Sequence, residues 1–145
     1  MTASGKVSDP AVIRRVLTTP ATWAVVGLST DATRTAYGVA RWMHDALGHR
    51  IIPVHPRAPE VWGEPGYRSL AQIPDGTVVA VVDCFVNSRR VGAVVDDAIA
   101  NSSRLGIEVV WLQLGVIDED AAERAIAAGL EVVMDTCPMM EYPRI

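Results

Sequence analysis

The chain of 145 residues is 50% hydrophobic and 21% charged, which is typical of one globular domain large enough to bury a core. Its formal net charge of −4 excludes the basic composition of nucleic-acid and membrane-surface binders, so an anion site would need arginines and backbone N–H groups arranged locally. Two cysteines are too few for a disulfide scaffold, and no transmembrane run or signal-peptide core is visible. We therefore expect a single cytoplasmic domain over residues 1–145.

After a loose tail at residues 1–7, amphipathic segments that predict helices alternate with apolar runs that predict strands. The strands are rich in β-branched residues and apolar on both faces, as in a parallel sheet that is covered on both sides. In chain order the predicted elements are helix 8–17, strand 22–28, helix 37–47, strand 50–54, a Pro- and Gly-rich loop 55–67, strand 77–83, helix 87–105, strand 108–114, helix 118–128 and strand 130–135. The last residues, CPMMEYPRI, are expected to form a tail.

One junction recurs three times, as ALGHRIIPV, RLGIEVVWL and AAGLEVVMD. Each copy is a helix end, a glycine and an apolar strand, which is typical of βαβ units with a parallel sheet. The sequence therefore predicts an α/β fold, a Rossmann-like doubly wound sheet of about five parallel strands with helices on both faces.

The loop after the first strand, in AVVGLSTDATRTAYGV, has the composition of a phosphate site. It offers backbone N–H groups, two hydroxyls, a guanidinium and the N-terminus of the next helix, where anions are favoured. The residues are Gly27, Leu28, Ser29, Thr30 and Arg34, with Tyr37 at the predicted helix start. This is not the three-glycine dinucleotide motif. The alternative is that Gly27 only turns the chain and that Ser29 or Thr30 caps the helix.

The end of the second strand, IIPVHPR, lacks the carboxylate that usually binds the ribose diol of NAD. No acid occurs before Glu60, and His55 and Arg57 stand there instead. This favours a ribose that carries a phosphate, as in coenzyme A or NADP. The alternative is that His55 packs or caps a proline turn and that Arg57 is solvated.

Further candidates follow the third and fourth strands, and they should reach the same edge of the sheet. They are Cys84, Phe85, Val86 and Asn87, then Gln113, Leu114 and Gly115. We expect both Cys84 and Cys137 to be buried and unreactive, because no Cys–His pair is visible, and His44 and His49 to lie on the surface. No catalytic residue is assigned, and no spacing indicates a metal site.

Seven motifs follow one another between about Pro20 and Cys137: VVGLS, RTAYGV, PVHP, VWGEPGYRSL, VVDCFVN, VVWLQLGV and VVMDTCP. In this order they resemble the small stand-alone bacterial CoA-binding protein family. That family is similar to the CoA-binding Rossmann domain of the succinyl-CoA synthetase α subunit. No single motif is specific, and the ordered series carries the resemblance.

The resemblance implies that coenzyme A, or an acyl-CoA, lies along the carboxyl edge of the sheet. The first loop would hold the pyrophosphate, and the PVHPR turn would hold the ribose phosphate or the adenine. The loop after the third strand would border the adenine or the pantetheine. The implied site residues are Gly27, Leu28, Ser29, Thr30, Arg34, Tyr37, Val54, His55, Pro56, Arg57, Phe85, Asn87 and Gln113.

The sequence departs from the family pattern at two of these places. His55 stands where the family often has Asn, and Val86 follows Phe85 where the family often has Arg. Arg89 and Arg90 lie nearby and are candidate replacements for that arginine.

Three functions remain open on the sequence. The first is a coenzyme A-binding protein without catalysis of its own, with no nucleic-acid or membrane partner. The second is an NADP-binding oxidoreductase, although the loop has one glycine and no catalytic constellation is visible. The third is a CoA-site subunit of a multi-chain acyl-CoA enzyme.

Overall fold

Five parallel strands form the sheet that the alternating sequence pattern predicts. The computed structural model describes residues 5–145, so part of the predicted tail, residues 1–4, lies outside the described residues. The order across the sheet is β2-β1-β3-β4-β5. The strands are β1 (Thr22–Val26), β2 (Arg50–Val54), β3 (Val81–Cys84), β4 (Val109–Leu112) and β5 (Glu131–Val133).

Helices cover both faces of this sheet, which confirms the predicted fold class. The helices are α1 (Pro10–Thr18), α2 (Thr35–Leu47), α3 (Ser88–Leu105), α4 (Glu119–Ala127) and α5 (Pro138–Glu141). Helices α1 and α2 bury their apolar residues against one face, and α3 and α4 against the other. Across residues 5–145, no helix combines the length and hydropathy needed to cross a membrane.

Alternate residues of each strand point to opposite cores, which explains why the strands read as apolar on both faces. In β1, Trp23 and Val25 join the core under α1 and α2, whereas Ala24 and Val26 join the core under α3 and α4. Trp23 and Trp111 pack against each other in this first core, with ring centroids 5.7 Å apart and ring planes tilted by 42°. Burial of each such large side chain stabilises the fold by about 2–3 kcal/mol.

Several predicted boundaries were wrong. Strand β3 begins at Val81 rather than at residue 77, because only residues 81–84 pair with β1, and Val78 is 69% exposed. Helix α2 begins two residues earlier than predicted. The C-terminal residues are a short helix and a 3-10 turn rather than a tail, since Pro138 starts α5 at a position that suits proline.

The surface location predicted for His49 was also wrong, whereas His44 is exposed as expected. Gly48 ends α2 in a left-handed conformation and turns the chain so that the His49 ring packs 5.1 Å from the Trp23 ring. Its Nδ1 accepts a hydrogen bond from the Ala21 N–H, and burial lowers the pKa of the ring. His49 is therefore a core residue at the amino edge of the sheet.

The strand order places a crevice at the carboxyl edge between β1 and β3. The chain leaves β1 toward α2 on one face and leaves β3 toward α3 on the other face. In doubly wound sheets this reversal point opens the crevice in which ligands bind. The loops that follow β1 and β3 therefore define where a site would lie.

Candidate functional site

The crevice is narrowest where Gly27 meets the backbone of Phe85. A Cβ atom on Gly27 would lie 2.5 Å from the carbonyl oxygen of Phe85, which is closer than two such atoms can approach. Gly27 also has a φ of +103°, which L side chains rarely adopt. The Gly27 N–H donates to the Val54 carbonyl, and the Phe85 N–H donates to the Val26 carbonyl, each at 2.8 Å. The carboxyl ends of β1, β2 and β3 therefore meet at this glycine.

The loop from Gly27 to Arg34 is folded by its own side chains. Asp31 accepts hydrogen bonds from the backbone N–H and the hydroxyl of Thr33, and these bonds lower the pKa of its carboxyl. The Ser29 hydroxyl oxygen accepts from the Asp31 N–H at 3.2 Å. Leu28 is fully buried, so this residue is not accessible to a ligand in this conformation. Ser29 thus shapes the loop and does not cap the helix.

No side chain caps the N-terminus of α2. Asp9, Asn87 and Asp118 cap α1, α3 and α4, whereas Arg34 at the N-cap of α2 makes no such hydrogen bond. A cavity of about 320 Å³ lies in front of this helix end, which we call the phosphate cavity. It is lined by Gly27, Thr33, Arg34, Thr35, Ala36 and Phe85. The unpaired N–H groups and the positive end of the helix dipole suit an anion there.

Tyr37 and Thr30 do not line the phosphate cavity. The Tyr37 hydroxyl accepts a hydrogen bond from Trp62 Nε1 at 3.0 Å, and the two rings meet edge to face. Tyr37 therefore connects the loop around Trp62 to α2.

The turn after β2 is held by His55, as one sequence interpretation allowed. The ring Nδ1 of His55 accepts a hydrogen bond from the backbone N–H of Arg57 at 3.1 Å. The backbone N–H of His55 donates to the Tyr67 carbonyl at 2.9 Å. A single parallel bridge joins Val54 to Tyr67 and brings Arg68 to the same strand end. Pro56 and Arg57 are exposed beside it.

A second cavity of about 460 Å³ opens between this turn and α3, and we call it the adenosine-side cavity. Its lining residues are Val26, Val54, Arg68, Ser69, Leu70, Ala93, Val94 and Asp97. The sequence reasoning included Val54 but missed the others. The motif VWGEPGYRSL was visible, yet nothing local shows that Tyr67 pairs with β2.

The arginines divide into two groups by their side-chain partners. Six form side-chain hydrogen bonds or salt bridges: Arg15, Arg41, Arg50, Arg104, Arg124 and Arg144. Within residues 5–145 the other six have no side-chain hydrogen bond or salt bridge: Arg14, Arg34, Arg57, Arg68, Arg89 and Arg90. All of the second group except Arg14 follow the carboxyl ends of β1, β2 or β3. These five arginines therefore share the carboxyl edge of the sheet, and two of them, Arg34 and Arg68, line cavities there.

A third cavity of about 460 Å³ lies beyond Phe85, and we call it the apolar cavity. Gln113 lines this cavity, and most of the residue is buried. Its Nε2 donates a hydrogen bond to Asp83 Oδ1 at 2.6 Å. Asn87 lies at the start of α3, where its side-chain oxygen accepts from the N–H groups of Arg89 and Arg90. Asn87 is therefore a helix cap, and only its amide nitrogen remains for another partner.

Asp83 is a fully buried carboxyl group at the end of β3, where the sequence allowed either a helix cap or a site carboxylate. Burial raises its pKa to about 7, although the hydrogen bond from Gln113 opposes this shift. Its Oδ2 has no hydrogen-bond partner among the described residues. The carboxyl is therefore close to its protonation midpoint at neutral pH.

Neither cysteine is placed for nucleophilic chemistry. Cys84 is fully buried as predicted, and burial raises the pKa of its thiol well above the usual range. Cys137 is only half-buried at the edge of the apolar cavity, and burial also raises its pKa. Both shifts disfavour the reactive thiolate. Within residues 5–145 no group of His, Cys, Asp and Glu could hold a metal ion.

The fold and the crevice define a Rossmann-like α/β protein. A family model described as a CoA binding domain matches residues 21–143, so the chain belongs to the CoA-binding domain family. YneT of Bacillus subtilis (strain 168), described as an uncharacterized protein, is 34% identical over 127 residues, which are 88% of this chain and 89% of YneT.

Solved structures share the fold. A hypothetical protein from Pyrococcus horikoshii OT3 has a TM-score of 0.82 and 32% identity, over 99% of this chain and 96% of its own. The dinucleotide-forming acetyl-coenzyme A synthetase 1 of Ca. Korarchaeum cryptofilum, in complex with phosphate and ADP, has a TM-score of 0.69 and 23% identity. That match covers 85% of this chain and 27% of the synthetase, and at this identity it speaks for the fold alone.

Replacement of Gly27 by alanine should destabilise the protein by about 2–3 kcal/mol, because the new Cβ meets the Phe85 carbonyl and φ is strained. The matched control is Gly38→Ala in α2, where a Cβ has open space and helix propensity favours alanine by about 0.5–1 kcal/mol. Urea denaturation midpoints measure both changes. Equal stability of Gly27→Ala and wild type would contradict the close approach.

Asp83→Asn should remove a pH dependence of stability. Because the folded pKa of about 7 exceeds the pKa of 3.8 of a free aspartate side chain, the full contribution of a neutral Asp83 is present below about pH 4. As the pH rises toward 7 and Asp83 ionises, this contribution of roughly 4 kcal/mol to the free energy of unfolding is lost. We expect the wild type to lose this stability between pH 4 and pH 8 relative to Asp83→Asn, as measured by urea denaturation.

The control for this comparison is Asp120→Asn, which removes an exposed carboxylate from the first turn of α4. It should leave the wild-type pH dependence in place. The same pH profile for wild type and Asp83→Asn would show that Asp83 does not titrate in this range.

Proposed function

We propose that this protein binds coenzyme A across the crevice between β1 and β3 and performs no catalysis of its own. The observation that carries the proposal is the group of five arginines at this edge that have no side-chain partner among residues 5–145. The chain as a whole has a net charge of −4, so this concentration of positive charge is local. Coenzyme A offers two phosphate clusters, a pyrophosphate and a ribose 3′-phosphate, that would pair with it.

The pyrophosphate would occupy the phosphate cavity. Arg34 lines this cavity beside the uncapped N-terminus of α2, so a guanidinium and backbone N–H groups converge there. The hydrogen bonds of Asp31 and Ser29 hold the loop in this shape before any ligand arrives. A preformed site reduces the entropy that binding would otherwise cost.

The ribose phosphate would bind at the turn after β2. Arg57 is exposed there, and Arg68 reaches the same strand end through the bridge between Val54 and Tyr67. The adenine would enter the adenosine-side cavity, where Val26 and Val54 offer apolar contact. From there the pantetheine arm would run past Phe85 toward Gln113, on the other side of the pyrophosphate.

NADP binding is the alternative ligand assignment, since it also brings a ribose phosphate. A calorimetric titration with coenzyme A, dephospho-CoA, NADP and NAD in parallel distinguishes the ligands. We expect micromolar or tighter binding of coenzyme A and weaker binding of dephospho-CoA. Preference for NADP over coenzyme A would replace this proposal with an oxidoreductase, and binding of none of the four would overturn it.

Purification from the native cell tests the proposal that the protein acts without a catalytic partner chain. A subunit that supplies only the CoA site of a multi-chain acyl-CoA enzyme would co-purify with the other chains and their activity. A coenzyme A-binding protein that acts alone would purify without them.

Arg34→Ala should weaken coenzyme A and dephospho-CoA equally, by about tenfold or more, because both ligands carry the pyrophosphate. Arg57→Ala should weaken coenzyme A and leave dephospho-CoA unchanged. The matched control is Arg14→Ala, which removes an arginine on α1 that also lacks a side-chain partner and lines none of the three cavities. Equal loss of both ligands in Arg57→Ala would contradict the 3′-phosphate assignment.

A further inference from the structure

The apolar cavity beyond Phe85 is built by four chain segments that are distant in sequence, one of which is the first turn of α2 at Thr35. Phe85 and Val86 come from the loop after β3, Leu114 and Val116 from the loop after β4, and Met140 from α5. The remaining lining groups are the Thr35 hydroxyl, the Gln113 amide and the Cys137 thiol, and none of the eight residues is charged. A volume of about 460 Å³ is in the range of small-molecule pockets.

This cavity adjoins the phosphate cavity. Thr35 and Phe85 line both of them, one from the first turn of α2 and the other from the strand end that faces Gly27. A ligand anchored by a pyrophosphate in the first cavity would pass between these two side chains into the second. The apolar cavity is therefore placed to receive the far end of such a ligand.

Leu114 is held at the mouth of the cavity although it is 59% exposed. Its loop is tied on two sides, because the Gly115 N–H donates to Asp135 Oδ1 at 2.7 Å and the Ile117 N–H donates to the Ser88 hydroxyl at 3.0 Å. Met140, which is 41% exposed, faces the same cavity from α5. Leu114 and Met140 are therefore partly exposed to water beside the cavity, and an apolar ligand group that covered them would be bound more tightly.

We propose that this cavity receives the acyl group of a short, uncharged aliphatic acyl-CoA. The inference rests on the coenzyme A site proposed above, because the thioester arrives through the phosphate cavity. The pantetheine arm takes part of the volume, so the acyl chain is short. Each methylene that leaves water against Leu114 or Met140 should strengthen binding roughly fourfold.

The lining also selects against acyl groups that carry a carboxylate. No cation lines the cavity, and the one amide at its wall, Gln113, already donates to the buried Asp83. The carboxylate of such an acyl group would lie near Asp83, where it would be desolvated without gaining a hydrogen-bond or ion-pair partner. Acyl groups of the same length should therefore separate by charge, with the uncharged chain bound more tightly.

The test is a titration of the wild type with coenzyme A, acetyl-CoA, butyryl-CoA and succinyl-CoA. Butyryl and succinyl groups have four carbons each and differ in the terminal carboxylate. We expect butyryl-CoA to bind about fifteenfold more tightly than acetyl-CoA, in line with two added methylenes at roughly fourfold each. Succinyl-CoA should bind no more tightly than coenzyme A.

Leu114→Arg adds a positive charge at the cavity mouth and removes the apolar contact. It should abolish the advantage of butyryl-CoA and improve succinyl-CoA by about tenfold relative to wild type. Ile117→Arg is the matched control, because Ile117 is 46% exposed in the same loop but lines none of the three cavities. It should leave the order of the four ligands unchanged.

Equal affinity of the wild type for coenzyme A and butyryl-CoA would overturn the acyl inference and leave the coenzyme A site standing. Absence of binding for all four ligands would overturn both. An equal gain for succinyl-CoA in Leu114→Arg and Ile117→Arg would assign the effect to net charge and would also overturn the inference. The wild-type series decides the question by itself if a variant does not fold.

Discussion

The contact between Gly27 and the carbonyl of Phe85 is the constraint on which the carboxyl edge of the sheet depends. It brings the loops after β1 and β3 within van der Waals distance, at the point where the strand order reverses. The same glycine donates its N–H to Val54 at the end of β2. Three strand ends therefore meet at one residue without a side chain, and the two cavities that share Thr35 and Phe85 adjoin each other at this edge.

The fold could be predicted from the sequence because its signals are local. Strands that are apolar on both faces and glycines at helix ends are visible in short windows, and they define a parallel sheet with helices on both sides. Individual boundaries depend on distant partners. The run at 77–83 looks like one long strand, yet β1 offers only Trp23–Val26 as partners, and pairing is limited to 81–84.

The candidate site could be predicted in part for the same reason. The glycine loop and the PVHPR turn follow strands directly, so their position at the edge follows from topology alone. Arg68 and Met140 reach the site through long-range contacts, a bridge to β2 and a C-terminal helix. Tyr37 was predicted from the local sequence as a ligand residue, but its hydroxyl accepts a hydrogen bond from Trp62, 25 residues away. No local sequence pattern indicates that bond.

Asp83 connects the buried interior of the protein to the carboxyl edge of the sheet through its hydrogen bond with Gln113. A buried carboxyl with one unpaired oxygen destabilises a core, and such groups concentrate where a protein binds ligands or performs chemistry. Here the acid lies behind Gln113, in the strand that leads to Phe85. Its hydrogen bond orients the one amide that lines the apolar cavity, so a polar group that destabilises the core fixes the position of a polar group at the edge.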